Sequence, residues 1–236
     1  MFTTFLVQPI YNLFVFLLGL MPHGDAGLAI IAMTLLMRAV LYPVFTSSIR
    51  TQMGMAAMQP ELDAATEAYK DDKEALTRER MALLKKHKVN PFAGFGALIL
   101  QLVVLVALYF ALFREGFPHI NEALLYSFVH APQSFSTTLF GLVDLLSPHN
   151  VILALLVAAT QYLAIRLTLR RTPAPTHPDK EAAHKLQSHM MLYFMPALMG
   201  VVSYTFPAAV GIYFTVSNLV SLAQEWVLMR QPKKEN

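Results

Sequence analysis

The chain has 236 residues, 56% of them hydrophobic and only 14% charged, with a net charge of +3. That charge content lies well under the ~25% of ordinary soluble domains and places the chain in a membrane. With no cysteine present, disulfides, thiolate metal sites, cysteine nucleophiles and a lipidated cysteine are excluded.

The first twenty residues, apolar but carrying Gln8, Pro9 and Asn12, lack the positive start of a secretory signal. An amphipathic helix over 1–25 lying at the outer interface is expected, with a sixth span or an uncleaved signal as the alternatives. Residues 27–48 then give a stretch long enough to cross a hydrocarbon core of ~30 Å at ~1.5 Å per residue. Its single charge is Arg38. An arginine at the centre of a spanning helix costs roughly 2.5 to 3.5 kcal/mol and persists only where protein or water solvates it.

From Met53 to Lys88 the composition turns to Ala, Glu, Lys, Leu, Arg and Met, which predicts two antiparallel helices. Met58, Leu62, Ala65 and Tyr69 make one apolar face, and Leu76, Met81, Leu83 and Leu84 a second. Asp71 and Asp72 supply the turn and the cap of the second helix, leaving Lys70, Asp71, Asp72 and Lys73 at the tip. Seven acids balance eight bases across residues 49–91, so this is a solvated surface and no nucleic-acid site is expected. A rigid spacer and a partner-docking arm both remain open.

Further apolar windows follow at 92–113, 150–169, 190–204 and 208–229, the last two joined by Tyr204-Thr205-Phe206-Pro207 as a tight helical hairpin. The fold expected is all-α: a polytopic membrane protein with five transmembrane helices, a cytoplasmic helical hairpin and an N-terminal interfacial helix. Lys and Arg are sorted unevenly: eight in 49–91, five in 166–189 and three in the tail, against Arg114 alone in 114–149 and none in 1–26. The positive-inside rule then puts the N-terminus outside and the C-terminus in the cytoplasm.

Polar residues inside the other spans converge with Arg38. Thr34 lies one turn before it on the same face. Gln101, Thr160 and Gln161 interrupt the second and third spans, and Gly211, Thr215, Asn218 and Ser221 form a stripe on the fifth. For any one of these, adhesion between membrane helices is the better account. Arg38 tips the balance toward a hydrated groove, since Asp144 falls near an outer interface and Glu225 toward the inner end of the last span.

The run MTLLMRAVLYP, a mixed-charge hairpin opening with MQPEL and closing with KVNPFAG, a span containing LILQL, and FPAAVGIYFTVSNLVSLAQ near the end together resemble the YidC family of membrane protein insertases. The likeness runs over roughly residues 25 to 230, and is to a short form without the large periplasmic domain. It implies a protein that inserts and helps fold newly made membrane proteins, is not an enzyme and uses no nucleotide or other cofactor. The implied partners are nascent membrane proteins and the lipid bilayer of the plasma (inner) membrane. The Sec translocon, the ribosome and the signal recognition particle machinery are further candidates, although the tail QPKKEN is short for ribosome docking. The likeness makes Arg38 the groove arginine with Thr34 beside it, and Gln101, Ser217 and Asn218 lining residues; the polar pattern adds Thr160, Gln161 and Thr215. A transporter or channel for an anionic solute is the alternative, against which stand the lack of an internal repeat and of paired broken helices. The serine, aspartate and HExxH signatures of intramembrane proteases are absent. His177, His184 and His189 share one loop without a ligand cluster around them, and no metal site is expected.

Overall fold

The computed structural model describes residues 3–87, 89–90, 92–114, 119–170 and 185–230. Lys88, Pro91, the basic segment 171–184 with His177 and His184, and residues 231–236 lie outside the described residues. The α-helices with both ends described follow in order: α1 (Gln8–Leu20), α2 (Ala26–Val40), α3 (Tyr42–Ala68), α4 (Lys73–Lys86), α5 (Phe92–Tyr109), α6 (Val151–Leu169), α7 (Met195–Thr205) and α8 (Ala208–Arg230). Single π-turns precede α1 and α7 and extend α5 to Arg114. Pro9 and Pro196, each two residues beyond such a turn, cannot donate the backbone bond that a regular helix requires there.

The expected span over 27–48 is not one straight helix. It breaks at Leu41, and α2 and α3 meet at 65°. Pro43 is the cause, because it has no N–H to bond the Ala39 carbonyl and its ring would clash with that carbonyl in an unbroken helix, whereas it is tolerated in the first turn of a new one. Across the bend, the Gln224 amide of α8 donates to the Thr46 hydroxyl (2.7 Å) and to the Tyr42 carbonyl (3.2 Å). No boundary falls at residue 53 either: α3 runs on through Pro60 into the hairpin.

The hairpin closes as its caps predict. The Asp72 carboxylate accepts from the Glu74 and Ala75 amides and starts α4. Met58, Ala65 and Leu83 are buried in its seam, but Met81 is 53% and Tyr69 39% exposed, so the outer parts of both expected apolar faces lie in the open. Near its base Glu61 of α3 meets Lys86 (2.7 Å) and His87 (3.1 Å).

Outside the helices the described chain is mostly irregular and holds one small sheet. In the connector between α5 and α6, β1 (Thr138–Leu139) pairs antiparallel with β2 (Val143–Asp144) in the register Thr138↔Asp144. Phe140 and Gly141 both take positive φ in the turn, the geometry that suits a two-strand twist and favours glycine. Asp25 joins this sheet to α2. One carboxylate oxygen caps the helix at the Leu28 amide and the other accepts from the Phe140 amide (2.7 Å). Gly27 lies so close to Leu139 that a Cβ would stand 2.5 Å from it.

The connector also explains the polar residues of α1. Asn12 accepts from the Tyr126 amide (2.7 Å) and donates to the Leu124 carbonyl (2.9 Å), Gln8 donates to the same carbonyl, and Tyr11 accepts from the Asn121 amide (2.6 Å). Phe14, Val15 and Leu18, at helical spacing from Tyr11, are buried with it in the main core beside Ile30, Met33, Leu112 and Leu145. The polar side of α1 is therefore a clamp on protein rather than a water-facing stripe.

One end of the bundle gathers the start of α2, the close of the α5 extension, the start of α6, the end of α7 and the start of α8. Backbone bonds from Ala26 to Ser136, His149 to Tyr204 and Ala208 to Ser147 tie these ends together. The other end carries the hairpin and the ends of α6 and α8. Ile152, Leu155, Leu163, Leu219 and Trp226 remain exposed on the bundle surface, an apolar area of the kind that a bilayer covers. Among the described residues, two helices (Thr3–Leu20 and Val151–Leu169) are each long and apolar enough to cross a membrane, and the bent pair α2–α3 is so when taken together.

Candidate functional site

Arg38 stands in the last turn of α2, 8% exposed, with its guanidinium 4.2 Å from the centre of the Phe45 ring beyond the bend. The break at Leu41 makes this contact possible, because it turns the start of α3 back toward the last turn of α2. Such a cation–π contact is worth roughly 0.5 to 2 kcal/mol, and more as water is removed. Among the described residues no carboxylate lies within ion-pair reach of Arg38.

Tyr213 of α8 lies within Coulombic range of the guanidinium. Gln101 of α5 donates to the Tyr213 hydroxyl at 2.6 Å. Three helices thus contribute one polar group each to a cluster inside an apolar bundle. Ser217, one turn beyond Tyr213 on α8, is buried beside the Tyr213 hydroxyl. A second pair crosses the bundle nearby in sequence: the Asn218 amide donates to the Thr160 hydroxyl of α6 at 3.1 Å.

Not every expected residue belongs to these contacts. Thr34 is buried, but its hydroxyl donates to the Ile30 carbonyl of its own helix. Thr215 is half-buried and bonds back to the Gly211 carbonyl in the same way. Gln161 lines a separate cleft toward the hairpin end, with Ser221. At the hairpin tip Lys70, Asp71, Asp72 and Lys73 are all exposed, Lys70 pairing with Glu67 at 3.4 Å.

Two members of the cluster are not singled out by charge or polarity in the sequence. Phe45 and Tyr213 look like ordinary aromatic core until the helices are placed. Tyr213 has a partial signal, since it precedes Ser217 by one helical turn on the polar stripe of α8. Thr46, Ser48 and Gln224, all buried where α3 meets α8, form a further polar zone that the span pattern does not announce.

Comparison with known proteins agrees with the likeness drawn from the motifs. The family model described as 60Kd inner membrane protein matches residues 18–235. A protein of Histophilus somni described as membrane protein insertase YidC is 30% identical over 98% of this chain and 38% of its own length. Proteins of the same description from Tolumonas auensis (30%) and Bordetella petrii (28%) also align over 98% of this chain, and over 37% and 36% of their own lengths. The chain therefore spans a little over a third of the curated relatives it matches. It belongs to the 60Kd inner membrane protein family, that of the YidC/Oxa-type insertases.

Proposed function

We propose that the chain is a membrane protein insertase of the bacterial plasma (inner) membrane, acting on nascent membrane proteins by a physical, non-catalytic mechanism. In this arrangement α2 with the start of α3, α5, α6, α7 and α8 are five spans. The N-terminus is outside, the C-terminus cytoplasmic, and α1 lies at the outer interface. The orientation is supported by charge: Arg114 is the only Lys or Arg in the connector 114–149, whereas the hairpin end carries the basic segments. The interfacial place of α1 is supported by its tethers, since Gln8 and Asn12 near its start and Gly24 beyond its end all bond to the one connector. Association with the Sec translocon, the ribosome or the signal recognition particle rests on the family likeness alone.

The observation that carries the function is a buried arginine with aromatic and hydroxyl neighbours in place of a carboxylate. Moving a polar substrate tail through hydrocarbon is slow because desolvating its polar groups is costly. A polar groove among α2, α5, α6 and α8, entered from the cytoplasm and from lipid, shortens the apolar distance. Arg38 attracts an acidic tail part of the way, and burial of the substrate's apolar segment in lipid, at about 25 cal/mol per Å², drives the process. Gln101, Tyr213, Ser217, Thr160 and Asn218 offer the tail hydrogen bonds in exchange for those it gives up.

Insertion of a single-span substrate bearing zero, one or two acidic tail residues, by purified protein in liposomes, tests this. A carboxylate ~8 Å from the guanidinium at an effective dielectric of ~20 gains about 2 kcal/mol. Arg38→Ala is therefore expected to slow the one-acid substrate by up to ~30-fold, with the neutral-tailed substrate little affected. Arg38→Lys is expected to keep much of the activity, because no bidentate partner is present to require a guanidinium. Equal defects for all three substrates at matched protein levels would remove the charge mechanism.

A further inference from the structure

The hairpin end of α6 carries two cations that no described acid answers. Tyr162, Arg166 and Arg170 recur at four-residue intervals and so share one face of the helix, and both arginines are exposed. On the hairpin, by contrast, Lys70, Arg78 and Lys86 each pair with a glutamate at 2.7 to 3.4 Å. Among the described residues no carboxylate lies within such reach of Arg166 or Arg170. Aromatic rings do not engage them closely either. Arg230 stands 3.6 Å from the centre of the Trp226 ring and Arg38 4.2 Å from that of Phe45. The Arg166 guanidinium is 5.9 Å from the Tyr162 ring centre, at the ~6 Å limit of a cation–π contact, so its N–H donors remain open to an anion.

The rings beside these cations form a shelf across two helices. Tyr162 lies 6.1 Å from Tyr193 in the π-turn before α7, and the His189 ring lies 5.9 Å from Tyr193. Tyr193 is 57% exposed, and the chain neighbours Leu163 and Phe194 are exposed with it, an apolar surface for a bilayer to cover. Depth decides what meets the arginines. Arg166 stands fifteen residues beyond Val151 at the start of α6, about 22 Å at ~1.5 Å per residue, and Arg170 about 28 Å. A hydrocarbon core of ~30 Å therefore ends just past Arg170, and both long side chains can reach the layer of lipid phosphates. A guanidinium matches the paired oxygens of a phosphodiester. A zwitterionic lipid brings its own ammonium to the same place, which two arginines oppose, whereas an anionic lipid does not. We propose that this face of α6 and the π-turn before α7 hold one anionic phospholipid, its phosphodiester on Arg166 and Arg170 and an acyl chain along Tyr162, Leu163 and Tyr193. The leaflet, cytoplasmic, follows from the orientation proposed above; the chemistry of the site does not depend on it.

The test uses the full chain in phosphatidylcholine liposomes holding a small fraction of brominated phosphatidylglycerol or brominated phosphatidylcholine in both leaflets. Because the chain has no cysteine, a fluorophore can be attached to a single cysteine replacing Leu163 or, as a control, Leu219 of α8. Both leucines are exposed, and they stand twelve and eleven residues from the starts of their helices, hence at nearly the same depth. At position 163 brominated phosphatidylglycerol is expected to quench with an apparent affinity roughly 25-fold above that of brominated phosphatidylcholine, about five-fold for each arginine near an anionic headgroup. The excess should be absent at position 219. Arg166→Gln together with Arg170→Gln should abolish it, and lysine at both positions should keep part of it. Equal preference at 163 and 219 would reduce the effect to charge spread over the surface, and a preference at 163 that survives the glutamine variant would remove the arginines from it; either result overturns the site. Loss of the preference on adding excess inorganic phosphate at constant ionic strength would make this a site for a soluble anion and overturn the lipid. Insertion activity does not enter the measurement, so the site and the insertase function fail separately.

Discussion

Removing the Asn12 side chain should free the connector from α1 at a calculable cost. Asn12 is 3% exposed and binds the Tyr126 amide and the Leu124 carbonyl. In Asn12→Ala the Leu124 carbonyl keeps the Gln8 amide at 3.1 Å, whereas the Tyr126 amide loses the partner that Asn12 supplies. A buried donor left unpaired costs roughly 1 to 3 kcal/mol. Tyr126 is only half-buried, so water recovers part of that, and about 2 kcal/mol is expected. At 1.4 kcal/mol per tenfold this raises the open population of the connector ~30-fold. Hydrogen exchange of the detergent-solubilised protein reports it directly, because exchange follows local opening. The Tyr126 amide should exchange ~30-fold faster while the amides of α6 are unaffected. Asn12→Asp separates geometry from packing, since it keeps the acceptor for Tyr126 and loses the donor to the Leu124 and Gln8 carbonyls. An unchanged Tyr126 rate in Asn12→Ala, or equal acceleration throughout α6, would refute the clamp.

Other consequences can be checked with the same material. Single cysteines at Asp71 and Gln133, both exposed, should react with a membrane-impermeant thiol reagent only from the cytoplasmic and only from the outer side respectively; labelling of both from one side would overturn the orientation. Replacing residues 71–74 with a short neutral turn removes the Asp72 cap, worth ~1 kcal/mol to α4; the protein should stay inserted and lose insertion activity, and full activity would reduce the hairpin to a spacer. Glu61 is held below the usual carboxylate range, chiefly by its hydrogen bond to Lys86. A depressed carboxylate stabilises the fold above its unfolded value of ~4.3 and loses that contribution as pH falls through the lower folded value. Exchange near the hairpin base should therefore rise on acidification below ~4.3 in the wild type, and this pH dependence should vanish in Glu61→Gln.

Span ends are legible in the sequence where a local rule sets them. Asn150 caps α6 at the Leu153 amide, and Phe206-Pro207 stops α7 just before α8 begins. The break at Leu41 obeys an equally local rule, written in Pro43, but hydropathy averages over it: Tyr42, Val44 and Phe45 keep the window apolar while the backbone turns by 65°. A window measures greasiness, and the cost of a proline is paid in hydrogen bonds. Polar residues in α1 do not name their partner, for the related reason that a hydrogen bond to water and one to a connector over a hundred residues away leave the same trace in the sequence.

The site divides along the same line. Arg38 and Gln101 are conspicuous because charge and amide are rare in apolar runs, and both lie in the cluster. Thr160 and Gln161 are conspicuous together, yet neighbours on a helix point roughly 100° apart. Once Thr160 takes the Asn218 amide, Gln161 must face elsewhere, and it faces the cleft of Glu225. Tyr213 and Phe45, by contrast, join the site through their hydroxyl and ring face, which an apolar count treats as core. Periodicity fixes which residues share a face of one helix. Only packing fixes the rotation of one helix against the next, and that rotation decides that Gln101 meets a tyrosine and that Arg38 meets an aromatic ring instead of an acid. Among the described residues no carboxylate neutralises a cation so placed, which is what the proposed attraction of an acidic tail requires.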